Sequence, residues 1–346
     1  MKKFTAALLS SILCTSLAGC GSSASSATAA AASAAASEAP AASASAAAAD
    51  TTGKTYTIGI VQLVQHEALD AATQGFQDEV KAELGEDAVT FDVQNAAGDS
   101  ATCTTIANQF VTEGVDLIMA NATPALQAAA AATNTIPILG TSVTEYGTAL
   151  GISDFSGTVG GNISGTSDLA PLDQQAAMFD ELLPDATKIG ILYCSAEANS
   201  VYQANVVQKA LEAAGKTVTI YTFTDSNDVA SVTRSACSEN DALYIPTDNT
   251  AASCAESINN VASESKTPII AGEEGIMSGC GIASLTIDYY ELGVTTGKMA
   301  VRILTGESDI STMPIEYYQN PVKKYAADRC EAYGITVPDD YTAYEG

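Results

Sequence analysis

Short apolar runs alternate with longer amphipathic ones along most of the chain, beginning near Tyr56. Tyr56-Thr57-Ile58-Gly59-Ile60-Val61 reads as a strand, and the apolar spacing from Ala68 to Leu84 predicts a helix. Val89-Thr90-Phe91-Asp92-Val93 is the next strand, after which Asp99 or Ser100 caps a helix reaching about Glu113. Asp116-Leu117-Ile118-Met119 is a strand. Thr123-Pro124 then opens an alanine-rich helix with proline in its favoured first turn, and Ile136-Pro137-Ile138-Leu139 closes the unit. Strands apolar on both faces and separated by helices predict a parallel sheet covered on both sides.

The pattern then restarts. A helix from Asp173 to Leu183 leads to the strand Lys188–Tyr193, a helix from Asn199 to Ala214, and the strand Thr217–Phe223. Another helix begins near Asn227, followed by the strand Ala242–Ile245, a helix from Thr250 to Ser263, and Pro268-Ile269-Ile270. The first half's Asp116-Leu117-Ile118, Thr123-Pro124 and Ile136-Pro137-Ile138 find echoes in Asp241-Ala242-Leu243, Thr247-Asp248-Asn249 and Thr267-Pro268-Ile269. The intervals differ, so this is a repeat of architecture and not of sequence. The expected fold is α/β, with two doubly wound parallel-sheet lobes facing each other.

The segment before Tyr56 has a different character. Met1-Lys2-Lys3 precedes an apolar run too short to remain as a membrane-spanning helix, and Leu17-Ala18-Gly19-Cys20 looks like a bacterial lipobox. Residues 1–19 are therefore expected to be a lipoprotein signal peptide and Cys20 the lipidated residue; an ordinary secretory signal is the alternative. From Gly21 to Asp50 alanine and serine dominate, a composition that cannot bury enough surface to offset its ordering entropy. Residues 20–54 are expected to tether the domain to the extracytoplasmic face of the cell membrane, with a root-mean-square reach of roughly 30 Å.

The body exceeds the size at which one core usually remains single, which favours two domains. Fourteen basic against 41 acidic residues give a net charge of −27, which speaks against nucleic acid and against electrostatic binding to anionic lipid. Cys103, Cys194, Cys237, Cys254, Cys280 and Cys330 permit disulfides outside the cytoplasm, but no CxxC suggests zinc or a redox motif. No metal or cofactor is expected.

Catalytic chemistry finds little support. His66 is the sole histidine, there is no G-x-S-x-G elbow, and Gly297-Lys298 continues with Met299 instead of a P-loop Ser or Thr. Gly279-Cys280-Gly281 misses the last glycine of a dinucleotide fingerprint, and Glu273-Glu274 on an extended segment point in opposite directions. The expectation is a non-enzyme; a hydrolase would have to depend on His66.

At the predicted strand ends stand Gln65-His66-Glu67-Ala68-Leu69-Asp70, Asn121-Ala122-Thr123-Pro124-Ala125, Ser195-Ala196-Glu197-Ala198-Asn199-Ser200, Pro246-Thr247-Asp248-Asn249-Thr250, Ala271-Gly272-Glu273-Glu274-Gly275 and Ile287-Asp288-Tyr289-Tyr290-Glu291-Leu292-Gly293. In this order they closely resemble the substrate-binding lipoproteins of an ABC importer family associated with tryptophan, phenylalanine and tyrosine. The resemblance, from about Tyr56 to Val337, implies a type I periplasmic-binding-protein fold with a three-segment hinge. The crossovers are expected near Asp168, near Thr286 to Asp288, and near Thr312 to Ile315. Lobe 1 would comprise residues 55–167 plus 288–311, and lobe 2 residues 168–287 plus 312–340. The implied function is capture of a small molecule, an aromatic amino acid first, and its delivery by a monomer to ABC permease transmembrane subunits. A sensory binding protein reporting occupancy to a receptor, or a transporter protein for a sugar or nucleoside, is the alternative.

The residue chemistry suits an amino-acid zwitterion. Hydroxyls of Thr123, Ser142 and Ser200 can donate to a carboxylate, and Asp248, Glu273 and Asp288 can accept from an ammonium group. His66, Asp168, Asn199 and Asn249 complete the candidate site, Asp168 also serving as a candidate hinge residue. Helix capping is the competing role for Thr123, Asn199, Asp248 and Asn249. None of the body's arginines, Arg234, Arg302 and Arg329, lies in these loops, which disfavours phosphate and dicarboxylate ligands. Tyr146 and Phe155 are candidate aromatic walls, while Tyr289 and Tyr290 open a helix and are equally candidates for the core.

Overall fold

The computed structural model describes residues 53–345, so the expected signal peptide, Cys20 and nearly all of the tether lie outside the described residues. The first sheet is built from β1 (Tyr56–Gln62), β2 (Val89–Asn95), β3 (Leu117–Asn121), β4 (Ile138–Val143) and β5 (Ile163–Ser167), with α1 (Glu67–Leu84), α2 (Ser100–Glu113), α3 (Thr123–Ala132) and α4 (Tyr146–Leu150) between them. The chain then forms α5 (Leu172–Leu182), β6 (Lys188–Cys194), α6 (Ala198–Ala213), β7 (Thr217–Phe223), α7 (Val229–Glu239) and β8 (Ala242–Ile245). Next come α8 (Asn249–Ser253), α9 (Ala255–Ser265), β9 (Ile269–Ala271), α10 (Glu274–Gly279) and β10 (Ala283–Thr286). Finally α11 (Tyr289–Leu304) and β11 (Glu316–Tyr317) precede β12 (Val322–Tyr325), α12 (Ala327–Tyr333) and β13 (Thr342–Ala343).

Two sheets result, one ordered β11-β5-β4-β3-β1-β2 and the other β13-β12-β10-β9-β8-β6-β7. All pairings in the first are parallel, and in the second only β10 with β12 is antiparallel. The chain passes between sheets after β5 and after β10. The third passage lies at residues 318–321, later than the expected 312–315, because Glu316 and Tyr317 still pair with Thr166 and Ser167. The single helix expected from Thr250 to Ser263 is two, broken at Cys254, whose backbone (φ −112°, ψ 13°) leaves the helical region.

Each sheet is covered on both faces. Ile58 and Ile60 pack under Phe76 and Val80 of α1 and Met299 of α11, while Val61 and Ile118 face Ile106 and Phe110 of α2. α1 and α11 approach backbone to backbone: a Cβ on Gly75 would strike the Tyr290 carbonyl, and one on Gly293 the Ala72 carbonyl. Only glycine permits that approach. It fixes the starts of both helices, carrying His66 and Tyr289, at the edge where the lobes meet. In the second lobe, Gln175 of α5 donates to Gly272 O and Leu285 O, both at 3.0 Å, and accepts from the buried Tyr244 hydroxyl. The six cysteines from Cys103 to Cys330 are free thiols. No described helix is long and apolar enough to cross a membrane.

Candidate functional site

Open parallel sheets collect ligands at the carboxyl ends of their strands, and here those edges of the two sheets face each other. The backbone is unusual at two adjacent strand ends. Ala122, after β3, has φ 94° and ψ 157°, and Ser142, on β4, has φ 52°. Ala122 N–H donates to Thr141 O at 3.0 Å, which places the two strained residues side by side. Left-handed conformations at non-glycine residues cost about 1–3 kcal/mol each and cluster at binding sites. A polar network supports them: Thr141, Thr166 and Thr296 hydroxyls lie 2.8–3.2 Å apart, and Tyr146 OH donates to Thr166 O at 2.9 Å. Tyr146 is thus a core residue with Phe155 stacked on it, and not the wall of a binding cleft.

Buried polar atoms without hydrogen-bond partners are rare in folded proteins and call for explanation. Among the described residues they are His66 Nδ1, Asn121 Oδ1, Thr123 Oγ1, Ser142 Oγ, Asp168 Oδ1, Asn199 Oδ1, Ser284 Oγ and Arg302 Nε. Five belong to residues singled out from the sequence. Thr123 and Ser142 come from the first lobe, Asn199 from the second, and Asp168 from the first crossing. Tyr289 OH, at the second crossing, donates to Asp168 Oδ2 at 3.1 Å, leaving Oδ1 unpaired. Burial pushes the Asp168 carboxyl up to about 6, against the nearby Thr144 and Tyr289 hydroxyls, which favour its ionised form.

The other three candidate acids are engaged elsewhere. Asp248 Oδ1 accepts from Ala251 N–H at 2.7 Å and Oδ2 from Cys194 N–H at 2.7 Å, so it caps α8 and ties it to β6. Burial, then the nearby Glu197 charge, raises its carboxyl to about 8. Glu273 caps α10 by accepting from Gly275 N–H (2.7 Å) and Ile276 N–H (2.5 Å), and burial raises it to about 7. Asp288 is exposed and caps α11 through Glu291 N–H at 3.0 Å. The ammonium-accepting role expected of these three gives way to capping. Ser200 is fully buried with its hydroxyl directed at Thr247 O, 3.4 Å away.

Sequence reasoning missed Glu197. Buried before α6, it accepts from Asn249 Nδ2 at 2.6 Å, from the backbone N–H of Asn249 and Thr250, and from the Thr250 hydroxyl. The only local sign was an acidic residue at a helix start. Its partner Asn249 reaches across the cleft, its Oδ1 3.2 Å from His66 Nε2. Burial lowers the His66 pKa, which keeps the ring neutral near pH 7. At the rim Glu67 accepts from Ser278 Oγ and Tyr344 OH of the second lobe, each at 3.1 Å. The lobes are closed on each other. A cavity of about 260 Å³ persists between them, lined by Leu63, Val64 and Pro124 on one side and Cys194, Glu197 and Thr250 on the other.

Residues 57–343 match the family described as ABC transporter substrate binding protein. The chain belongs to that family. This substrate-binding protein is 38% identical over 264 residues to a tyrosine-binding protein of Clostridioides difficile (strain R20291), covering 76% of each chain. Among solved structures it resembles an ABC domain in complex with L-Trp from Streptococcus pneumonia, with 33% identity and a TM-score of 0.79, covering 83% of this chain and 97% of that one. It also resembles the ligand-free, open structure of a Clostridium difficile substrate binding protein with adhesive properties, with 34% identity and a TM-score of 0.64, covering 84% of this chain and 99% of the other. At nearly the same identity and coverage the L-Trp complex superposes better than the ligand-free, open structure, in keeping with the direct contacts across the cleft. The two-lobed architecture is that of type I periplasmic binding proteins. Proteins of this family act outside the cytoplasmic membrane.

Proposed function

We infer that this substrate-binding protein captures an aromatic amino acid between its lobes and delivers it to the transmembrane subunits of an ABC permease. The observation that carries this reading is the set of unpartnered buried atoms contributed by both lobes and the hinge. Thr123 and Ser142 hydroxyls donate to the carboxylate at the strained ends of β3 and β4, beside the start of α3, where backbone N–H groups favour an anion. Asp168 Oδ1 and Asn199 Oδ1 accept from the ammonium group. Only the closed form brings these groups to one ligand, so binding favours closure by the difference in contacts between the two forms. The relatives named for tyrosine and for L-Trp support an aromatic side chain. Calorimetric titration of the purified protein with the twenty amino acids tests this: saturable binding confined to aromatic ones is expected, and no binding of any aromatic amino acid refutes it.

The Leu17-Ala18-Gly19-Cys20 sequence supports lipid anchoring at Cys20. Two acyl chains on one diacylglycerol suffice for stable membrane attachment. Cys20→Ser is expected to abolish lipid labelling and release the protein; unchanged labelling would refute the anchor.

A further inference from the structure

The single histidine sits where its hydrogen-bond polarity is dictated by the opposite lobe. Glu197 accepts backbone N–H groups from both Asn249 and Thr250, so its carboxylate faces donors. Asn249 must therefore turn its amide nitrogen toward Glu197, 2.6 Å away, and its Oδ1 toward His66. An amide oxygen only accepts. His66 Nε2, 3.2 Å from it, thus carries the proton. In a neutral imidazole the other nitrogen is then an acceptor, and His66 Nδ1 is buried without a donor.

Position matters as well. His66 follows β1, which lies next to β3 and two strands from β4. β1 and β3 are neighbours roughly 4.8 Å apart, and the helices that follow them open with His66 as the N-cap of α1 and Thr123 in the first turn of α3. A ligand whose carboxylate meets Thr123 has the start of α1 as a neighbour.

We propose that His66 Nδ1 receives a hydrogen bond from the ring of the bound amino acid, a phenol O–H or an indole N–H, and so selects tyrosine and tryptophan against phenylalanine. This rests on the aromatic amino acid reading above. Glu197 and Asn249 act as positioning residues: they fix which nitrogen bears the proton, and only after the lobes close. A phenylalanine ring would leave Nδ1 buried and unpaired, a penalty equivalent to about tenfold to a hundredfold in affinity.

The test uses the full-length protein, purified without a histidine tag so that His66 gives the sole imidazole signal, titrated with L-tyrosine, L-tryptophan and L-phenylalanine. Wild type is expected to bind at least one ring donor tenfold or more tighter than L-phenylalanine. His66→Leu loses the Asn249 contact and so weakens all three ligands, but it should collapse that preference to within about threefold. Ring-¹⁵N spectra of the occupied wild type should show the neutral Nε2–H tautomer. Equal wild-type affinity for all three, an undiminished preference for ring donors in His66→Leu, or an Nδ1–H tautomer overturns the proposal with the aromatic reading intact. Failure of wild type to bind any of the three overturns that reading, and the proposal falls with it.

Discussion

Tyr289 and Asp168, 121 positions apart in sequence, meet at 3.1 Å where two of the three crossings run between the lobes. The contact does two things. It braces one hinge segment against another, and it occupies one Asp168 oxygen while the second remains unpaired. Tyr289 is held in place because α11 lies against α1 through Gly293 and Gly75.

If Asp168 accepts the ammonium group of the ligand, binding requires its ionised form. Burial holds the ligand-free carboxyl at about 6, and the cation lowers it, so binding releases a proton below that pH. Affinity should be flat above pH 7 and fall as pH drops below 6. Tyr289→Phe removes a hydrogen bond that favours the ionised form. Its pH midpoint should move upward, with roughly a tenfold loss at pH 7, since hydrogen bonds to charged groups are worth about 1.5–3 kcal/mol. Calorimetry at several pH values measures both; an unchanged midpoint in Tyr289→Phe would refute the role.

Ligand-free stability should have its own pH dependence. Asp168, Glu273 and Asp248 all have folded-state values raised above the ordinary carboxylate range, to about 6, 7 and 8. Such groups stabilise the fold fully below their unfolded value, and the contribution is lost as pH rises through the folded value. Asp168 alone accounts for about 3 kcal/mol. The growing negative charge of a chain at −27 acts in the same direction. The exposed caps Asp99 and Asp309, lowered by their hydrogen bonds, oppose this only at more acidic pH, and the buried His66, lowered from its ordinary value, opposes it below about pH 6.5 as one group against three. Thermal midpoints should therefore decline from pH 5 to pH 8.5; a steady rise over that range would contradict the burial of these acids.

Much of the architecture was legible in the sequence. β1, β3, β6 and β8 are buried on both faces and read as continuous apolar runs. β5 was not, because Ile163-Ser164-Gly165-Thr166-Ser167 is mostly hydroxyl side chains. Its burial depends on partners remote in sequence: Ser164 donates to Met313 O, Thr166 meets Thr141 and Thr296, and Ser167 donates to Thr144 O. The same limit governs the site. His66, Thr123, Ser142, Asp168 and Asn199 stood out as polar residues at strand ends. Whether Asp248, Glu273 and Asp288 cap a helix or meet a ligand is decided by where each oxygen points, and Glu197 meets Asn249, 52 positions further on, only once the chain between them has folded.

Asp248 and Asp168 should separate folding from binding. Asp248→Ala leaves Ala251 N–H and the buried Cys194 N–H without acceptors. Losing a cap and stranding a buried donor together cost roughly 2–4 kcal/mol. Asp168→Asn keeps an acceptor for Tyr289 and removes a buried carboxyl, so it should melt no earlier than wild type yet bind aromatic amino acids at least tenfold more weakly. Melting curves and titrations of the two variants, run side by side, check this. The opposite ranking, with Asp248→Ala stable but unable to bind, would return the ammonium contact to Asp248.

Glu67 should act on closure alone. It stands at the first helical position of α1, is exposed, and accepts from Ser278 Oγ and Tyr344 OH, both carried by the second lobe. Neither bond survives opening, so they stabilise only the closed form, by an amount that solvent exposure keeps small. Glu67→Ala should therefore release L-tyrosine or L-tryptophan about threefold to tenfold faster, with association little changed, because opening precedes release. Stopped-flow dissociation measures the rate. Solution scattering supplies the control: at saturating ligand the variant should still contract as wild type does. An unchanged dissociation rate would mean that closure is held by the ligand and the His66–Asn249 contact, with the Glu67 rim contributing nothing.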